Sequence, residues 1–151
     1  MRLASYVFAA VCAAFLTLSG PVSAEQADDG VMRLAIQISD DDPATYHRAL
    51  NVATNFARGM SNAGKIYEIE IVAFNDGLHI LREDTSPVMD RVKSIAESIP
   101  DLTFSACGNT INKMTKEEGA APPITQYAKV VPGGVGRLVY LDNTNYFVIR
   151  P

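Results

Sequence analysis

The sequence predicts a single three-layer α/β/α domain built on an open, mostly parallel sheet of five strands. Two observations predict it. Segments whose apolar residues recur every second position alternate along the chain with segments of helical period, and that alternation builds a parallel sheet covered by helices on both faces. The composition agrees: 151 residues, 48% hydrophobic and 20% charged, suit one domain with a substantial core.

The N-terminal stretch MRLASYVFAAVCAAFLTLSGPVSAEQ stands apart. Arg2 supplies a positive start, the run from Leu3 to Leu18 is almost unbroken apolar sequence, and Gly20 and Pro21 break its helix. Val22 and Ala24 then occupy the small-residue positions before a cleavage point. This predicts a secretory signal peptide over residues 1–24, cleaved after Ala24, and a periplasmic protein. The stretch is short for a membrane span. Residues 25–30 read as a polar, flexible lead-in and residues 31–151 as the α/β domain.

The full chain carries 13 basic and 17 acidic residues, a charge of −4; without Arg2 the balance is 12 against 17, or −5. A mildly acidic domain with no basic cluster is a poor partner for nucleic acid. No second apolar run is long enough to span a bilayer, so no membrane association is expected after cleavage. Cys12 leaves with the signal, and Cys107 is then the one cysteine of the mature chain. Exported compartments are oxidising, yet an internal disulfide is ruled out. A reactive thiol, an intermolecular bond and a buried inert side chain all stay open.

The elements follow in order. VMRLAIQIS, residues 31–39, alternates Leu34, Ile36 and Ile38 with Arg33, Ala35 and Gln37, which says strand. Asp42 then caps a helix with Pro43 at its first position. Tyr46, Ala49, Leu50, Ala53, Phe56, Ala57 and Met60 form its apolar face, and it ends near Asn62 and Gly64. His47, Asn51 and Asn55 make the opposite stripe. KIYEIEIVAF, residues 65–74, is the second strand: Ile and Glu alternate first, then the run is wholly apolar. NDG turns the chain, and Leu78 to Leu81 form a short helix.

Ser86 caps the next helix and Pro87 starts it. Val88, Val92, Ile95, Ala96 and Ile99 are its apolar face, and Pro100 and Asp101 stop it. LTFSA leads into Cys107 as the third strand. A helix runs from about Asn109 to Glu118, with Gly119 as its C-terminal stop. APPITQ is a loop or weak turn, and AKVV the fourth strand. PGGVGRLVYLDN turns into a helix, and YFVIR closes the chain as the fifth strand.

Ligands of open α/β sheets bind beyond the carboxyl ends of the strands. The segments there are 39–42, 75–77, 107–110 and 132–134. Cys107 therefore stands between a strand end and a helix start, where free N–H groups stabilise negative charge and lower a thiol pKa. Gly108 lets the backbone approach the sulfur, and Asn109 and Thr110 can cap the helix and donate hydrogen bonds. Against this stands the small buried hydrophobe that many cysteines are. PGGVG offers either an anion-binding nest or a plain tight turn; its spacing is not that of a dinucleotide fingerprint. Asp40, Asp41 and Asp42 lack calcium-loop spacing and read as a helix cap. His47 and His79 form no H-x-x-x-H or Cys/His cluster, so no metal and no cofactor is expected. In the last helix Val135, Leu138, Val139, Tyr140 and Leu141 leave little polar surface, which predicts that a second subunit covers one face.

Taken together, ISDDDPATYHRALNVATNF after the first strand, IEIVAFNDGLHIL at the second, LTFSACGNT at the third and VVPGGVGRLVYLDNTNYFVIRP at the end make the chain from Val31 to Pro151 resemble the DsrE/DsrF-like family. It is most similar to an exported branch that carries a C-G-N-T segment. The resemblance implies an open parallel five-stranded sheet, a trimeric or hexameric assembly, and transfer of sulfur as a persulfide on one cysteine. Only Cys107 maps to the sulfur-carrying position. Two departures are plain: the sulfur-relay members are cytoplasmic, and their residues after the cysteine differ from Gly108, Asn109 and Thr110.

Three functions are thus expected in competition. One is a sulfur carrier or thiol-exchange protein acting through Cys107, with a protein donor or acceptor of sulfur as partner. A second is a non-catalytic oligomeric module that binds a small anion in a strand-end cleft of Asn55, Asn75, Gly108, Asn109, Thr110 and Gly133. The third is a redox sensor whose thiol is oxidised to sulfenic acid or a mixed disulfide.

Overall fold

The computed structural model describes residues 29–151. The signal peptide expected over 1–24 and the first four residues of the lead-in lie outside the described residues. The elements are β1 (Met32–Ile38), α1 (Pro43–Asn62), β2 (Tyr67–Ala73), a 3-10 helix (Asn75–Leu81), α2 (Met89–Ser98), β3 (Leu102–Cys107), α3 (Gly108–Glu118), β4 (Ala128–Val131), α4 (Gly134–Asp142) and β5 (Phe147–Ile149). They build one five-stranded sheet in the order β4-β3-β2-β1-β5, and every strand pair is parallel.

The period of two explains the layers. On one face of the sheet, Leu34, Ile36 and Ile38 of β1, Ile69, Ile71 and Ala73 of β2, and Leu102, Phe104 and Ala106 of β3 pack against α1, α2 and α3. The alternate positions face α4. Their core is much smaller: Ala35, Val72, Phe74 and Cys107 from the sheet side, Leu138 and Leu141 from α4. Strand order accounts for this split. From β1 to β4 the chain moves steadily across the sheet, so right-handed crossovers put three helices on one face. From β4 it jumps back to β5, and α4 crosses the other face.

The helix boundaries follow local chemistry. Asp42 caps α1 as expected, its side chain accepting from the Ala44 amide at 2.8 Å, with Pro43 behind it. Gly119 ends α3 in the left-handed region at φ 79°. Two boundaries differ from expectation. The 3-10 helix begins at Asn75, not Leu78, because Gly77 lies so close to β1 that a Cβ would fall 2.5 Å from the Ile38 carbonyl oxygen. The helix α2 begins at Met89. Pro87 and Val88 make a turn instead, fixed by Ser86, whose hydroxyl donates to Ile80 O at 2.8 Å and accepts from the Val88 amide at 3.3 Å. The APPITQ loop also carries more order than its composition suggests. Ile124 forms an antiparallel bridge with Arg82, and the Thr125 amide donates to Leu81 O at 2.9 Å.

Candidate functional site

Cys107 is the last residue of β3 and the N-cap position of α3. Val131, its register partner, ends β4. From these neighbouring strands the chain departs to opposite faces, α3 to one and α4 to the other. Such a divergence opens a crevice at the carboxyl edge of a parallel sheet. Here it is a cleft of about 330 Å3, with Phe74, Asn75, Cys107, Asn109, Thr110 and Gly134 in its wall. Lys113, Gly133, Val135 and Gly136 complete the lining.

The sulfur lies at the N-termini of two helices at once. The Gly134 amide, first in α4, donates to Cys107 Sγ at 3.2 Å. At the start of α3, the Asn109 and Thr110 amides and the Thr110 hydroxyl add electrostatic support for its charged form. Burial pushes the thiol pKa up, since the residue is only 5% exposed. The Thr110 hydroxyl and the Thr110, Gly134 and Asn109 amides outweigh burial and hold it below its ordinary value. Thr110 is itself oriented: its Oγ1 accepts from the Asn75 amide at 2.9 Å, which leaves its hydroxyl proton for the sulfur. Asn75 adopts the left-handed conformation, φ 48°, where asparagine is tolerated better than most residues.

Glycines let the two helix starts close on the sulfur. A Cβ on Gly134 would fall 2.7 Å from Phe74 Cβ, so no other residue lets α4 approach β2 this closely. Gly108 serves a different contact from the one expected. It makes room for β4, not for the sulfur: its Cβ would lie 3.0 Å from the Val131 carbonyl oxygen, and the next amide, Asn109, donates to Pro132 O at 3.2 Å.

The structure brings Asn75, Asn109, Thr110 and Gly133 together at the cleft with Cys107. Asn109 and Thr110 do not cap α3; they are the second and third residues of its first turn, and the cap position belongs to Cys107. Asn55 is not in the cleft. It sits twelve residues into the exposed side of α1, roughly 18 Å along that helix from its start, and accepts a hydrogen bond from Arg58. The rest of its stripe ties two helices together: Arg91 of α2 bonds His47 Nδ1 and Asn51 Oδ1, each at 2.9 Å.

Phe74, Lys113, Gly134, Val135 and Gly136 also line the cleft, and of these only Gly134 falls in a segment expected at the strand ends. The PGGVG segment was the available signal for the last three, since three glycines at a helix start allow close backbone approach. Among the described residues, no group of three His, Cys, Asp or Glu side chains is placed to share a metal ion. No helix among them is long and apolar enough to cross a membrane.

No family model matches the chain, and no curated protein matches it. Among solved structures it is similar to a protein of unknown function from Methanobacterium thermoautotrophicum, with a TM-score of 0.67 and 25% identity. The match covers 80% of this chain and 99% of that one.

Proposed function

We propose that this is an exported, DsrE/DsrF-like sulfur-handling protein that carries a sulfane sulfur, or exchanges thiols, on Cys107. One observation carries the reading. The sulfur belongs to the cap residue of α3 and accepts from the Gly134 amide at the start of α4, 3.2 Å away, in the wall of a cleft. Such a setting favours the thiolate, which is the nucleophile in thiol–disulfide and persulfide exchange.

In the loading step the Cys107 thiolate attacks the outer sulfur of a donor persulfide, R–S–SH. A new S–S bond forms at Cys107, the donor's S–S bond breaks, and the donor leaves as the thiolate R–S⁻. Cys107 then carries S–SH. No oxidant is consumed, because sulfane sulfur only changes partner. Unloading is the same exchange onto an acceptor thiolate. A terminal sulfur in the cleft would have Asn75, Asn109 and Lys113 among the lining residues available to stabilise its charge. The partners are a sulfur donor and acceptor, and further copies of the chain in a trimer or hexamer. On the outer side of α4, Val135 is 61%, Val139 56% and Tyr140 56% exposed, an apolar stripe suited to a subunit contact.

Intact-mass spectrometry tests the reading. Incubation with a low-molecular-weight persulfide should add the mass of one sulfur atom, removable by a thiol reductant and absent in Cys107→Ser. Two added oxygens weigh nearly the same, so reducibility decides between them. A thiol inert to both persulfide and iodoacetamide would leave the non-catalytic anion-binding module as the better reading. Addition of a single oxygen under mild peroxide, without sulfur uptake, would favour the redox sensor.

A further inference from the structure

Beneath α4 lies a charged group that the chemistry at Cys107 does not touch. Glu70, in the middle of β2, is 2% exposed. Arg137 of α4 grips it with both arms of its guanidinium: Nε to Oε1 and Nη2 to Oε2, each at 2.7 Å. Ser105 of β3 adds a hydroxyl donor at 2.5 Å and Lys129 of β4 an ammonium at 3.5 Å. One carboxylate thus binds strands β2, β3 and β4 to the helix that crosses them.

We infer that Glu70 and Arg137 are positioning residues for the Cys107 thiolate, acting by fixing where α4 starts. The inference rests on the reading that Cys107 is the working group. The apolar contacts of α4 are few: Leu138 and Leu141 are its large residues in the small core. Two leucines hold a nine-residue helix to the sheet but define its rotation and axial position weakly. A planar, bidentate arginine–carboxylate pair defines both, because two parallel hydrogen bonds constrain angle as well as distance. A buried ion pair adds little net stability over an apolar pair of similar volume; what it adds here is direction. The constraint passes to the site along one helical turn. The Arg137 amide donates to Gly133 O at 2.9 Å, and the next residue, Gly134, gives its amide to the sulfur.

The sign of one change separates positioning from simple electrostatics. Glu70→Gln removes a negative charge and leaves a cation nearer to unpaired. Acting through space, that favours the thiolate and lowers the thiol pKa. Acting through α4, loss of the fork lets Gly134 drift from the sulfur and raises the pKa. The experiment is iodoacetamide alkylation of the full folded protein as a function of pH. It compares wild type with Glu70→Gln, Arg137→Lys and the paired change Glu70→Leu with Arg137→Leu, and uses circular dichroism to select the folded variants.

Positioning predicts a midpoint raised by about half a unit in Glu70→Gln, roughly threefold less thiolate at pH 7. Arg137→Lys, which keeps the charge but not the fork, should move it the same way by less. The paired change, which leaves net charge unaltered, should also raise it. A downward or unmoved midpoint in a folded variant overturns the inference and leaves Cys107 chemistry standing. A wild-type thiol inert from pH 6 to 10 (range on the order of the ordinary cysteine titration) overturns the reading of Cys107 itself.

Discussion

Gly134 donates its amide hydrogen to the sulfur of Cys107 at 3.2 Å, across 27 residues of sequence. The bond joins the first turn of α4 to the cap of α3. It exists because β3 and β4 are neighbours whose outgoing helices lie on opposite faces of the sheet. Both helices start at the same crevice, so the cap residue of one meets the first free amide of the other.

The thiol should titrate early. Alkylation of Cys107 against pH is expected to show a midpoint below the ordinary thiol value of about 8.5, because the amides and the Thr110 hydroxyl outweigh burial. The linkage has a definite sign. With the folded pKa depressed, the unfolded chain holds the proton more tightly, so stability rises with pH between the folded and unfolded values. Denaturant titrations on either side of that window should show it, and Cys107→Ser should abolish it.

Gly134→Ala should cost about 1–3 kcal/mol from overpacking, since the new methyl would meet Phe74 Cβ at 2.7 Å and Cγ at 2.8 Å. It should also raise the thiol midpoint as α4 moves off. Gly136→Ala is the control: nothing lies within 4 Å of its Cβ position. It should leave stability unchanged or slightly raised, by up to about 1 kcal/mol from helix propensity, as thermal and urea unfolding would report.

Thr110→Val keeps shape and removes the hydroxyl. The Asn75 amide then loses its acceptor and the sulfur a donor. The expected cost is about 1–3 kcal/mol for the unpaired amide, with a slower alkylation rate at neutral pH. Thr110→Ser should restore most of both. A valine variant with unchanged rate would mean that the backbone amides alone hold the thiolate.

Acid should loosen α4 before the rest. Burial pushes the Glu70 carboxyl pKa up, but Arg137 and Ser105 hydrogen bonds, with the Lys129 and Arg137 charges, outweigh it and hold it below its ordinary value. Its stabilisation is therefore complete above about pH 4.3 and is lost as pH falls through the lower folded value. Hydrogen exchange in α4 should accelerate in that range ahead of α1, and Glu70→Gln should remove the pH dependence.

Val139→Lys tests the apolar stripe on α4. Val139 is 56% exposed, so the change costs the monomer little, within about 0.5 kcal/mol. Light scattering at micromolar concentration (order of magnitude typical of weak assembly) should show an oligomer for the wild type and a monomer for the variant. A wild-type monomer would remove the assembly from the proposal.

Much of the fold was legible because it is written in short-range patterns. Leu34, Ile36 and Ile38 announce β1, and Asp42 with Pro43 announces α1, without reference to any distant residue. The misplaced boundaries share a different cause. The start at Asn75 depends on how Gly77 meets Ile38, and that at Met89 on the bond of Ser86 to Ile80 O, contacts that form only after the chain folds back. The site was legible in part for the same reason. Cys107 shows its place between strand and helix locally, whereas Asn55, on a helix that starts near the right edge, points away from the cleft.

By itself, the sequence determined the alternation of strand and helix, the position of Cys107 at a strand end, and the glycines after β4. These are local matters of periodicity, capping and backbone freedom. Only the tertiary structure decided that the helix after β4 lies on the opposite face from the others, so that its first amide meets the sulfur. It alone turned Glu70, one of two alternating glutamates in β2, into the buried anchor of Arg137. The physical reason is that both depend on strand order, which brings residues far apart in sequence within hydrogen-bond distance, and no local pattern encodes that distance.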